Sequence, residues 1–287
     1  MAKVPVIEQC TVSGSSRNRV LVENLADYLV RNKNLQFPHR HNFYHFVLFT
    51  QGKGWFTIDF DEFEIEPWKM YFMAPGQIHT WSFADDVNGY VVNFDKDLFN
   101  TTLLRPDYLG ELTFFSPSVR RSVFTVATDL RDELTALLAR LETHTTHLPF
   151  VQAAMLYLFQ LLDLHNDQGA THKASHPYGH TLLLNFLQLI ESNYREMRLP
   201  KEYAALLHIT PNHLNALSKE QLGAPAGEII RNRVILEAKR LLAIRDYTVA
   251  EIAYELNFKD NSYFSKFFKK IEGQTPEEFK KNITCKK

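Results

Sequence analysis

The sequence predicts a multidomain α+β chain: an N-terminal β-barrel, two following helices, then an all-α domain of two helix–turn–helix units joined by a long linker helix. Three observations carry this expectation. Residues 1–100 hold short aromatic and β-branched runs broken by turn residues. After residue 116 the apolar spacing changes to three and four. Beyond residue 180 the chain repeats itself with a period of 49 to 50 residues. The implied divisions are a barrel over 1–115, a helical region over 116–168, a linker over 169–180 and the duplicated domain over 181–287.

The strands come first. HFVLFT (45–50), GWFTIDF (54–60), KMYFMA (69–74) and GYVVNF (89–94) are each short and rich in β formers. Gly52, Gly54, Asp61, Pro75-Gly76 and Asp85-Asp86 punctuate them. No helix of useful length is expected among them. The polar stretch 11–19 is expected either to fold over the barrel mouth as an arm or to stay disordered.

Ser116-Pro117 has the form of a helix cap followed by a first-turn proline. Val119, Val123, Val126, Leu130, Leu134, Leu137, Leu138 and Leu141 then continue one helical face. Pro149 opens a second helix through Ala154, Leu158, Leu161, Leu162 and His165. Both helices are more apolar than one buried face requires. Packing against the barrel and a homodimer interface would each use the surplus, and the two are compatible.

Residues 166–180 carry Gly, Pro, Ser and Asn without periodicity, as a linker does. Beyond them, Ala204, Leu207 and Ile209 match Ala253, Leu256 and Phe258 at an offset of 49. After the turn Leu214, Leu217, Lys219 and Gly223 match Phe264, Phe267, Lys269 and Gly273 at an offset of 50. Small Ala204 and Ala253 let a second helix approach closely. His208 and Asn257 stand where the first helix must stop, and both residue types tolerate positive φ. Thr210-Pro211 should open one second helix, with Asp260 or Asn261 capping the other. Leu214 with Leu217, and Phe264 with Phe267, should face inward. Residues 226–246 lack proline and should form the helix whose length separates the two units.

This pattern resembles the AraC/XylS family of bacterial regulators, most densely over residues 195–282. The matching parts are Ile252-Ala253, Asn257-Phe258, Ser262-Tyr263-Phe264, Phe267-Phe268-Lys269 and Gly273-Gln-Thr-Pro276. Two features depart from the family: Asn257 replaces the usual Gly, and Pro225 comes one place early. The resemblance implies a cytoplasmic, nucleoid-associated bacterial transcription regulator, activation being the commoner outcome, with RNA polymerase as a partner if it activates. It places base-reading positions at Asn212, His213, Asn215 and Ala216, and at Asn261, Ser262, Ser265 and Lys266. Thr210, Lys219, Arg231, Lys269 and Lys270 fall where backbone phosphates of double-stranded DNA would lie. Charge agrees with one half meeting a polyanion: residues 180–287 hold 17 basic and 13 acidic side chains, whereas the chain as a whole carries −1.

The barrel holds its own cluster. His39-Arg-His41 is followed by His45, and His79 comes after Pro75-Gly76. Alternate residues of a strand share a face, so His39 and His41 can converge. The spacing resembles the cupin pattern, with His45 in place of the usual acid. Four imidazoles suit a divalent first-row metal, but family members also keep such histidines without metal, as hydrogen-bonding or effector-touching groups. A small-molecule effector of unknown identity would then meet His39, His41, His45, Trp55, Tyr71, His79, Trp81 and Tyr90, with Phe56 and Phe72 further aromatic candidates. No cofactor is required by this reading.

The competing expectation is a metal-dependent cupin enzyme using the same histidines. No general acid or base stands beside them in sequence, and an enzyme has no use for the duplication. A regulator answering a protein partner is a third alternative. The two cysteines, Cys10 and Cys285, have no partner at metal or redox spacing. The first residues lack the apolar core of a secretion signal, and no membrane association is expected.

Overall fold

The computed structural model describes residues 6–7, 19–32, 37–84, 86–99, 108–115, 121–166, 177–243 and 247–285. Residues 11–18, Ser116-Pro117, Val119, Cys10 and residues 167–176, on which parts of the sequence reading rest, lie outside that set. The chain divides into two compact units, one over Pro5–Thr171 and one over His172–Lys287 with the first four residues.

Among the described residues, the N-terminal unit holds two five-stranded sheets. The strands are β1 (Val6–Ile7), β2 (Val20–Asn24), β3 (His39–His41), β4 (Tyr44–Gln51), β5 (Gly54–Ile58), β6 (Asp61–Ile65), β7 (Lys69–Met73), β8 (Ile78–Phe83), β9 (Asn88–Phe94) and β10 (Val123–Thr125). One sheet has the order β1-β3-β8-β5-β6 and the other β10-β7-β4-β9-β2. Gly54 and Gly89 adopt positive φ where a neighbouring strand passes close. A Cβ at Gly89 would lie 1.8 Å from the Leu48 carbonyl oxygen, so no other residue fits there.

Strand β4 is buried over five successive residues, His45 to Phe49. Its two faces enter different cores. Val47 and Phe49 join Phe56, Tyr71, Trp81 and Val91 between the sheets. Phe46 and Leu48 join Phe72, Val92 and Phe94 under a helical layer. That layer is built by α3 (Arg131–Thr143) and α4 (Leu148–Asn166), through Leu134, Leu138, Leu141, Met155, Leu158 and Phe159. The apolar surplus of these helices is thus spent largely against the sheet, although Tyr157 and Leu164 stay exposed. A short helix, α2 (Tyr108–Glu111), lies between β9 and β10.

Two local expectations are corrected here. A helix, α1 (Leu25–Arg31), does interrupt the strands. Asn24 caps it by accepting from Ala26 N at 2.9 Å, Asp27 and Arg31 complement its ends, and Leu25 and Tyr28 are buried one turn apart. The helix expected from residue 117 begins only at Arg131. Val123–Thr125 is an edge strand paired antiparallel with Lys69–Tyr71, and Phe72 N donates to the Ser122 carbonyl. The apolar spacing of Val123, Val126 and Leu130 fits a helix. The β-branched Val123 and Thr125 instead fit the open ladder edge of β7, and pairing overrides local periodicity.

The C-terminal unit contains α5 (Pro177–Asn193), α6 (Pro200–Leu206), α7 (Pro211–Leu222), α8 (Ala226–Ala243), α9 (Val249–Glu255), α10 (Asn261–Glu272) and α11 (Pro276–Cys285). Residues 177–180, expected as linker, already belong to α5. Helix α8 is the long helix between the units. The corners are as the duplication implies: His208 has φ 55° and Asn257 φ 57°, while Gly223 and Gly273 close α7 and α10 at φ 74° and 76°. Thr210 accepts from His213 N, and Asp260 rather than Asn261 caps α10, accepting from Ser262 N and Tyr263 N. Thr248 and Glu251 form a reciprocal capping box on α9.

The inner faces of the two units differ. In α7, Leu214 and Leu217 are buried together with Ser218. In α10, Phe264 and Phe268 are the buried pair, and Phe267 is only half-buried. Phe268 occupies the place that Ser218 has in the first unit, so its ring takes the depth expected of Phe267.

Candidate functional site

Two sites emerge, one in each unit. In the C-terminal unit, α7 and α10 each follow a left-handed corner and turn one face to solvent. Asn212, His213, Ala216 and Lys219 are exposed on α7, and Thr210 is exposed just ahead of it. Asn261, Ser262, Lys266, Lys269 and Lys270 are exposed on α10, and Arg231 is exposed on α8. The structure thus brings most of the expected DNA-facing residues onto free helix surfaces.

Asn215 and Ser265 depart from that expectation. Both are half-buried, at equivalent places one residue after the inward Leu214 and Phe264. Asn215 Oδ1 accepts from Ala226 N at 3.1 Å. Ala226 opens α8, so its N–H is one of the donors that a helix start leaves without an internal partner. The side-chain oxygen of Asn215 is therefore engaged in joining α7 to the linker helix.

Exposed cations dominate α10: Lys266, Lys269 and Lys270 project from it with no acidic side chain until the half-buried Glu272. On α7, Lys219 is followed by exposed Glu220. Helix α10 therefore presents more exposed positive charge than α7, the charge that phosphate would meet.

In the N-terminal unit, β3, β4 and β8 bring His39, His41, His45 and His79 together at relative exposures of 4% or less. His39 and His79 are directly paired across the β3–β8 ladder. Ring centroids are 4.3 Å apart for His39 and His79, 4.6 Å for His41 and His79, 4.9 Å for His39 and His41, and 5.0 Å for His41 and His45. One nitrogen from each of His39, His41 and His79 falls within a mutual 4.8 Å. His45 stacks on His79 at 5.4 Å.

The outer hydrogen bonds select tautomers. His39 Nδ1 lies 2.8 Å from the Phe37 carbonyl and donates to it, leaving the Nε2 lone pair free. His45 Nδ1 is held by Asn93 Oδ1 from β9, which again frees Nε2. Among the described residues, these two nitrogens, and both nitrogens of His41 and His79, are buried without a hydrogen-bond partner. Burial pushes all four imidazoles below their ordinary pKa. His45 falls to about 4, and His41 and His79, further disfavoured by neighbouring imidazoles, fall well below the usual range. At neutral pH the cluster presents uncharged nitrogen lone pairs.

Of the expected effector-contacting aromatics, Trp81 meets this pocket, 6.0 Å from His79 and 6.2 Å from His45. Tyr71 is buried behind it, edge-on to Phe56. Trp55 and Tyr90 do not reach the site. Each sits beside an inward residue, Phe56 or Val91, and strand alternation turns it to the opposite face. Trp55 is 50% exposed on the outer side of its sheet, and Tyr90 packs on the helical-layer core. Phe72 belongs to that second core as well. Two residues escaped sequence reasoning: Phe43, which stacks on His41 at 4.3 Å, and Asn93. Asn93 could be found only from the β4–β9 register, which places it opposite His45.

Comparison with known proteins agrees with this division. Residues 203–282 match the family model described as a helix-turn-helix domain, and residues 30–162 match the one described as an AraC-like ligand binding domain. Among curated relatives, the transcriptional regulatory protein YesN of Bacillus subtilis (strain 168) is 35% identical over 109 residues, covering 36% of this chain and 29% of YesN. YisR, an HTH-type transcriptional regulator of the same organism, is 30% identical over 97 residues, covering 34% of each chain. The chain thus spans about a third of the length of these two. The transcriptional activator RhaS of Yersinia pestis (strain Pestoides F) is 24% identical over 257 residues, covering 86% of this chain and 90% of RhaS.

Proposed function

Because the chain belongs to the AraC family of transcription regulators, we propose that it binds double-stranded DNA at a two-part site and regulates transcription in answer to a ligand of its N-terminal unit. The observation that carries this is the repeated corner. Each of His208 and Asn257 breaks a helix at positive φ and delivers the next helix with an exposed polar face. Activation, with RNA polymerase as a partner, is the outcome we assign, supported by the activator RhaS aligning over most of both chains. The protein works on DNA in the bacterial cytoplasm. No helix among the described residues is long and apolar enough to cross a membrane. The exposed Tyr157 and Leu164 on α4 support a homodimer formed through the helical layer. Sedimentation as a monomer at micromolar concentration, with and without DNA, would remove that part of the reading.

The direct test is selection of binding sites by the full chain from a random DNA duplex library, followed by Lys266→Ala and Lys269→Ala. Each lost phosphate contact should weaken binding and lower the slope of log K against log salt by about 0.9. Loss of a base contact should change the selected sequence at one position. Wild-type binding and sequence preference in both variants would overturn the assignment of α10.

The histidine pocket supports a second, narrower reading. Neutral imidazoles, two of them (His39 and His45) fixed through Nδ1–H, fit a divalent first-row metal held by His39, His41 and His79, with His45 as a fourth ligand. A bound metal would supply a Lewis-acidic point that an effector oxygen or nitrogen could join. The chain's own part is to hold the imidazoles deprotonated and keep them from water. The reading assigns binding to this pocket and no reaction. Metal analysis of the purified protein, with calorimetric titration of Zn²⁺, Mn²⁺ and Ni²⁺, tests it. Stoichiometric uptake lost in His79→Ala supports the metal. No uptake by folded protein leaves an organic effector alone.

A further inference from the structure

The loop between α5 and α6 belongs to the first unit by its backbone and to the second by its side chains. Glu202 Oε2, in the first turn of α6, accepts from Arg198 N at 2.8 Å and Leu199 N at 2.7 Å. The Tyr203 hydroxyl donates to the Met197 carbonyl at 2.8 Å. The chain from 197 to 199 is therefore fixed to the helix that carries the first corner.

From that base Arg198 reaches the second corner. Its Nη2 donates to the carbonyl of Leu256, and its guanidinium lies 3.6 Å over the Phe258 ring. Leu256 is the C-cap of α9, so its carbonyl has no further helical turn to serve. Phe258 packs against Phe264 and Phe267, so it seats α10 on the corner. Between the two gripped residues stands Asn257 in its left-handed conformation. Arg195 adds an ion pair to Glu255 at 2.7 Å. Behind the loop, Arg233 of α8 binds Glu191 of α5 at 2.8 Å and covers the Tyr194 ring at 4.0 Å.

We propose that Arg198 is a positioning residue for DNA recognition: by clamping the corner of the second unit to the base of the first, it sets the distance between the two half-sites that the protein reads. The proposal rests on the DNA-reading assignment above. Without the clamp, the ties between the units are α8 and the exposed Arg195–Glu255 pair, and these leave the second unit freer to turn. A half-buried guanidinium whose Nε has no partner among the described residues is a costly way to gain stability. Its flat face on Phe258 and its fork at Leu256 do fix an orientation.

The experiment uses the full chain, a random duplex library, and then synthetic duplexes carrying the selected site with one or two base pairs inserted between its halves. Wild type should lose about tenfold or more in affinity for each inserted pair, and Arg198→Ala about threefold or less. The native spacing should suffer more in Arg198→Ala than either half-site alone. If that variant fails to fold, Arg198→Lys keeps a cation near the Leu256 carbonyl without the flat stack and should give an intermediate penalty. A folded variant, Ala or Lys, with the wild-type spacing penalty overturns the clamp alone. Failure of wild type to enrich any two-part site overturns the DNA reading and the clamp with it.

Discussion

His45 and Asn93 face each other across the β4–β9 ladder, and the imidazole Nδ1–H donates to the asparagine oxygen. That bond fixes the His45 ring, which stacks on His79, and leaves its Nε2 as the unbonded nitrogen in the histidine pocket. A partner of this kind raises the basicity of an imidazole and stops its rotation.

Asn93→Leu should therefore weaken Zn²⁺ or Ni²⁺ binding by about 10- to 100-fold while leaving the fold intact. Competition titration against a chromophoric chelator reads the change. Equal affinity in the variant would mean that His45 takes no part.

Acid should destabilise the metal-free N-terminal unit. All four histidines have folded-state pKa values below 6.5, so between that value and the folded one the unfolded chain binds more protons. Their contribution is complete above about pH 7 and is lost as pH falls, with His45 following down to about 4. Each histidine contributes a slope of up to about 1.4 kcal/mol per pH unit. Urea unfolding of chelator-treated protein from pH 7.5 to 5 should give a falling midpoint. A flat midpoint would contradict protonation-linked loss.

Asn215→Ala should lower the stability of the C-terminal unit by about 1 kcal/mol, since it strips the acceptor from Ala226 N. The selected DNA sequence should change little. Asn212→Ala, on the exposed face, should do the reverse. Thermal unfolding together with site selection separates the two.

Asn257→Val should cost roughly 1–2 kcal/mol, because a β-branched side chain fits poorly at φ 57°. Asn257→Gly should be neutral or stabilising. Matched unfolding curves check the pair, and equal stability of the two would remove the strain argument.

The duplicated unit was legible in the sequence because each of its constraints is local. A small residue, a corner, a cap and an inward pair lie within about twenty positions, and each uses a distinctive residue type. The histidine cluster was legible for a similar reason: His39 and His41 share a strand face, and the turn at Pro75-Gly76 brings His79 back beside His39. What escaped depends on partners far along the chain. Strand β10 exists because β7 offers an open edge some fifty residues earlier. The two faces of Trp55 and Phe56 cannot be told apart without the register. Arg198 meets Leu256 across 58 residues, and nothing in either neighbourhood announces the other.

From His45 to Phe49, strand β4 has neither face exposed to water, and that has a mechanical consequence. His45 points into the histidine pocket, while the next residue, Phe46, points to the other side, 6.3 Å from Phe159 of α4. Close-packed interiors yield little to compression. One residue step of a single strand therefore joins the histidine pocket to the aromatic cluster beneath α4, and a displacement of His45 would press on Phe46 and the rings around it.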